Sequence, residues 1–262
     1  MSEVHRLLPH AIHTNNSSPS FHTFGSTLVR PGVVTRSLQS SWTPVARKEA
    51  PDLSIVGCPT EIRSLIALFG SHRQSSDSSE IHDESFLAPD IPALQVALDQ
   101  VKAFGAEVWA TDMASAHPDP SSINAADLMH LCMIWKLTTE IYASRILYKL
   151  TGDMNFLVPL VDEIIKHYNY LERNDDLLKC LIWPTFIVGA ECRTAEQREW
   201  VGRVYEKIWW ITLSANTKNA VLVLASLWKK QDLIKEELGD RVAEAWDWLG
   251  ELSSLDDKWL FF

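Results

Sequence analysis

The sequence predicts an all-α fold, a multi-helix, bundle-like domain preceded by a disordered segment. Apolar residues recur three and four positions apart in one stretch after another from Pro59 to Leu252. Capping residues, Gly and Pro stand at the ends of those stretches. No run alternates apolar and polar residues with the period of two that marks a half-buried strand. About seven or eight helices are expected on this pattern. Eleven tryptophans, most of them within or beside helical patterns, then read as aromatic packing between helices.

Residues 1–50 are rich in Ser, His, Pro and Thr without sustained periodicity, and are expected to be disordered or loosely ordered, with the folded domain spanning 51–262. Pro59 and Thr60 open a first helix whose Ile62, Leu65, Ile66 and Phe69 share a face, with Gly70 as its expected end. The polar stretch SHRQSSDSSEIHDESFLAPD reads as a mobile loop. Asp90 caps a helix that runs through IPALQVALDQVKAFGAEVWA. After the loop HPDPSSIN comes the longest segment, residues 125–150. It is apolar around most of its circumference and so is expected at the centre, with Gly152 closing it. A further helix is expected over 156–171, starting near Pro159. Asn174, Asp175 and Asp176 suit the N-terminus of the next one.

The stretch LIWPTFIVGAECRTAEQREWV follows. Pro184 cannot donate to the carbonyl of Cys180 and its ring crowds that turn, so the helix must kink or restart there. Thr194 and Gln197 have the spacing of a capping box that starts AEQREWVGRVYEKIWWITL. NAVLVLASLWKKQD and DRVAEAWDWLGEL complete the helical set.

Composition narrows the function. Apolar residues at 46% and charged residues at 22% are ordinary globular usage. Cys58, Cys132, Cys180 and Cys192 have no metal-ligand or CxxC spacing and read as reduced, packed thiols. No leader pattern and no apolar run of about eighteen residues is present, so an intracellular protein outside the membrane is expected. The formal charge is −10. Arg6, Arg30, Arg36, Arg47 and Lys48 against Glu3 and Glu49 give the first fifty residues +3, which leaves −13 on the body. An acidic body is poorly suited to gripping a phosphate backbone.

The order of segments resembles the fungal-specific transcription factor domain found C-terminal to binuclear zinc-cluster DNA-binding modules. VGCPTEIRSLIALF carries a Gly-x-Pro ahead of a short helix, and EIYASRILYKLTG is similar to the family's central helix. LIWPTFIVGAECRTAEQREWV is the most telling, with Trp-Pro, an apolar run to Gly-x-Glu and a charged helix behind it. AVLVLASLWKKQD and WDWLGEL are similar to its Trp-containing last helices. The resemblance spans about residues 50–262. It implies a nuclear regulator (the cytoplasm is the alternative) of RNA polymerase II transcription, controlling a gene set such as one for secondary metabolism. The six closely spaced cysteines of the zinc cluster are absent from these 262 residues. DNA contact is therefore expected only indirectly, through a zinc-cluster partner or a homodimer, or through an N-terminal module outside this sequence.

For an effector pocket, the candidates are Trp183, Trp209, Trp210, Arg145 and Tyr148, and the ligand expected there is an apolar small molecule. Plain interhelical packing is the competing reading of each tryptophan. Trp209 and Trp210, about 100° apart on a helix, should face different surroundings. Arg145 is expected to pair with Glu140 or Glu191, because a lone buried charge is expensive. No metal, cofactor or catalytic residue is expected. Asp175 and Asp176 begin an Asp-Asp-x-x-Asp pattern, but Lys179 stands where its third carboxylate belongs, which disfavours a diphosphate-binding α-helical enzyme. Glu163 and His167 read as an exposed i,i+4 pair and His130 as a hydrogen-bonded core histidine. An interaction scaffold without regulatory output is the alternative to the regulator.

Overall fold

The computed structural model describes residues 57–77, 89–116, 124–157, 159–239 and 246–254, and every regular element among them is helical. In chain order these are α1 (Thr60–Asp77), α2 (Ile91–Ala103), α3 (Ala106–Ala116), α4 (Ala125–Thr151), α5 (Val161–Leu171), the single turn α6 (Asp175–Leu178), α7 (Ile182–Glu191), α8 (Ala195–Thr212), α9 (Ala215–Leu238) and α10 (Trp248–Ser254). Two 3-10 turns lie at Met154–Phe156 and Lys179–Leu181. The all-α expectation holds. The expected disorder of residues 1–50 lies outside the described residues.

Helix α4 is the axis of the fold. It packs against α1, α2, α3, α5 and α7. Leu128, Leu131, Ile134, Trp135, Ile141, Tyr142 and Ile146 are all buried, on several sides of the helix. Asn124 caps it by accepting from the Ala126 amide at 2.9 Å, and Gly152 ends it. Its apolar circumference is thus matched by neighbours all round, as a helix hydrophobic on every side requires. The entry to α1 explains the Gly-x-Pro signal. Gly57 has φ +57°, and a Cβ there would stand 3.0 Å from Leu131 Cδ2 and 3.2 Å from Cys180 Cβ. Only a glycine fits both that conformation and that approach.

Four boundaries differ from the sequence reading. Gly70 does not end α1, which runs on to Asp77. The glycine is buried, and past it Arg73 is drawn inward, its Nη2 donating to the Leu249 carbonyl at 3.3 Å and Ser253 Oγ at 3.2 Å. The stretch expected as one helix after Asp90 breaks into α2 and α3, because Phe104 turns to extended geometry and its carbonyl accepts from Lys136 Nζ at 3.0 Å. The helix expected over 156–171 begins at Val161, close to the expected start near Pro159, and Phe156 belongs instead to the 3-10 turn capped by Asp153. In the last segment only Trp248–Ser254 is described as helix, and 240–245 lie outside the described residues, as do 78–88 of the expected loop.

Asp90 caps α2 at 3.0 Å. Thr194 and Gln197 form the reciprocal capping box of α8, with the Gln197 amide donating to Thr194 Oγ1 and Gln197 Oε1 accepting from the Thr194 amide. Among the described residues no helix is long and apolar enough to cross a membrane.

Candidate functional site

The Trp-Pro stretch builds the polar centre of the molecule. Asn174 accepts from the Leu177 amide and starts α6, a 3-10 turn follows, and the chain restarts as α7 at Ile182. Pro184 is then the third residue of a new helix, where the missing N–H would have had no intrahelical acceptor. Of the two outcomes its position in the sequence allows, a kink or a restart, the chain takes the restart. Trp183, just before it, is buried. It lies against Trp135 of α4, ring centroids 5.6 Å apart and planes 9° apart, with Tyr142 edge-on at 5.7 Å.

The far end of α7 carries the chemistry. Gly189 lets α9 approach, since a Cβ there would meet Leu224 Cδ1 at 2.7 Å, and its carbonyl accepts from Trp228 Nε1 at 2.8 Å. Two residues on, Glu191 is buried and paired with Arg145 of α4. Arg145 Nε and Nη2 donate to the two carboxylate oxygens at 2.5 and 2.6 Å, and Nη1 donates to the Trp246 carbonyl at 2.8 Å. Trp248 Nε1 donates to Glu191 Oε1 at 2.7 Å and Trp246 Nε1 to the Ala190 carbonyl at 3.0 Å. One bidentate ion pair thus ties α4, α7 and the start of α10 together. Glu140, the other partner expected for Arg145, faces Lys102 instead, at 3.8 Å.

Burial alone would push the Glu191 carboxyl up. The Arg145 charge and hydrogen bonds, with the Trp248 indole, outweigh it and hold the group below the ordinary carboxylate value. Burial would likewise lower Arg145, and the Glu191 charge reverses this and raises it. Both groups are therefore charged, as a paired buried site requires. Beside the pair lies a cavity of about 240 Å³ whose wall includes Ile141, Ser144, Met154, Leu157 and Arg193.

The five residues expected in one effector pocket are not gathered at one cavity among the described residues. Arg145 borders the cavity just described. Tyr148, three residues on, is half-buried. Trp183 is sealed in the core, Trp209 is half-buried with Lys218 Nζ 3.8 Å over its ring, and Trp210 is 70% exposed beside a different, open hollow. The two adjacent tryptophans do face different surroundings, as their spacing predicts. The carboxylates of Asp175 and Asp176 are engaged by Lys207 and Lys179, at 3.3 and 2.7 Å.

Sequence reasoning missed one pair. His167 is not in an isolated pair with Glu163, because its Nδ1 lies 2.8 Å from His130 Nδ1, across the α4–α5 contact, and Tyr170 stacks on His130. Among the described residues no group of three metal-ligating side chains forms there or elsewhere. Burial lowers the pKa of both rings, His130 further disfavours charge on His167, and Asp127 and Glu163 oppose the shift. A 2.8 Å contact needs at least one neutral ring. The stability carried by the pair is full above about pH 6.5 and is lost as pH falls through the lowered folded values. The urea midpoint of the wild type is expected to fall between about pH 7 and 5 more than that of a His130→Gln/His167→Gln double variant. Equal falls would show that the pair is not the titrating unit.

The profile described as the fungal specific transcription factor domain matches residues 22–262. A 105-residue stretch is 29% identical to the acriflavine sensitivity control protein acr-2 of Neurospora crassa, an alignment that takes in 38% of this chain and 17% of that protein. The chain thus spans well under two thirds of that relative's length. No solved structure matches.

Proposed function

Because this chain belongs to the fungal specific transcription factor domain family, we propose that it is the regulatory domain of a fungal transcriptional regulator, acting in the nucleus on a pathway-specific gene set such as one for secondary metabolism. The observation that carries the reading is the family match over residues 22–262 in a chain whose four cysteines supply no zinc cluster. The regulatory body is present and the family's DNA reader is not among these residues. DNA contact then comes through a zinc-cluster partner, through a second copy of this chain, or through a module outside it. The charge of −13 on residues 51–262 supports an indirect route. The domain boundary near residue 50 and an apolar small-molecule effector belong to the same reading. No catalytic role is assigned, and the lysines on Asp175 and Asp176 support that.

The test is to fuse the chain to a heterologous DNA-binding domain in a fungal host and read a reporter. Reporter output several-fold above or below that of the DNA-binding domain alone is expected. A folded fusion that leaves output unchanged would favour a scaffold without regulatory output and sink the proposal.

A further inference from the structure

We propose that the cavity beside the Arg145–Glu191 pair is a binding site for a small apolar carboxylate. The inference deepens the regulatory reading by giving its effector a place and a chemical class. At about 240 Å³ the cavity holds the equivalent of about eight water molecules at liquid density, which suits a short hydrocarbon chain with one polar end. Ile141, Met154, Leu157 and Pro159 supply apolar wall, and Met is the side chain that adapts best to varied shapes.

The polar end is chosen by charge. The charges of the Arg145–Glu191 pair on the cavity wall cancel, and each Arg145 nitrogen and each Glu191 oxygen already has a partner. The pair therefore offers neither a free cation nor a free anion. Arg193 is different. It borders the cavity, it is exposed, and its guanidinium makes no hydrogen bond among the described residues, while its charge is felt at Glu191. Asp247, whose charge is felt at Arg145, accepts from the Gly250 amide and does not line the cavity, so among the lining residues the unmatched charge is positive, and it selects an anion. Ser144, 2% exposed, provides the second observation. Its Oγ is buried with no hydrogen-bond partner among the described residues, and the residue lines the same cavity. Buried hydroxyls are rarely left so. Its neighbours on α4 show the usual solution: Thr138, Thr139 and Thr151 each donate to the carbonyl four residues back, and Ser144 does not. An apolar chain against the wall, its carboxylate between the Arg193 guanidinium and the Ser144 hydroxyl, matches all of these groups.

Calorimetric titration of the purified full chain with octanoate, and with octanol and octylammonium as length-matched controls, tests the site. Octanoate is expected to bind and the two controls to bind at least tenfold more weakly. Arg193→Gln, at an exposed position, should weaken octanoate about tenfold and leave octanol unchanged. Leu157→Trp, or Met154→Trp if the first variant does not fold, should fill the cavity and abolish binding. No heat with octanoate at millimolar concentration would overturn the proposal. So would equal affinity for octanol, or octanoate binding that survives both Arg193→Gln and the Trp variant. The fusion reporter, read with and without octanoate, separates the two proposals. Binding without any reporter output sinks only the regulatory reading, and reporter output without binding sinks only this site.

Discussion

Arg145→Met is expected to lower the stability of the chain by about 3–5 kcal/mol in urea unfolding at neutral pH, and Glu191→Leu by a similar amount. Each change strands a charge in the core. Without Arg145, Glu191 keeps only the Trp248 indole, and the Trp246 carbonyl loses its donor as well. A loss of that size is a large part of the roughly 5–15 kcal/mol that holds a domain folded. The double variant Arg145→Met/Glu191→Leu should recover much of the loss, because two apolar side chains of similar volume need no desolvation to be compensated. Single-variant losses below about 1 kcal/mol would show that apolar packing alone seats α10. The pair also sets an acid limit. Glu191's folded pKa is depressed, so its contribution is full above the unfolded value near 4.3 and is lost as pH falls through the folded one. The wild-type midpoint should therefore fall more steeply below about pH 4.5 than that of the double variant.

What could be read from the sequence follows from how far apart the interacting groups lie along the chain. The Thr194–Gln197 box and the Asp90 and Asn174 caps act over three residues or fewer, so their spacing is their signal. Pro184 forces a kink or a restart by its own geometry. Gly70 misleads for the opposite reason. A glycine after an apolar run resembles a helix stop, yet here it lies buried in a helix that Arg73 carries onward through contacts with Leu249 and Ser253, more than 170 residues away. The Arg145 pair spans 46 residues and the histidine pair 37. Charge and burial could restrict Arg145 to an acidic partner but not choose Glu191 over Glu140, and nothing local ties His130 to His167. Ser144 has no sequence signal at all, because a serine in an apolar helix ordinarily satisfies itself on its own backbone. The expected aromatic pocket grouped tryptophans that the structure assigns to core, edge and surface.

That separation makes Trp183 the most informative aromatic to remove. Trp183→Ala is expected to destabilise the chain by about 3–5 kcal/mol, the range for deleting a large aromatic from a packed core. The ring is buried against α4, stacked on Trp135 and met edge-on by Tyr142, so its loss opens a cavity between α7 and α4. Trp210→Ala, on a residue 70% exposed, should change stability by less than about 0.5 kcal/mol. Paired urea titrations of the two variants check both values. If Trp183 were part of a ligand-accepting pocket, the surrounding helices would already tolerate open space, and its removal would cost well under 3 kcal/mol while creating affinity for indole. A full loss without indole binding would assign the Trp-Pro motif to holding α7 against α4. In that case the motif acts on function through placement: it fixes the helix whose far end delivers Glu191 to Arg145 and forms one wall of the cavity beside them.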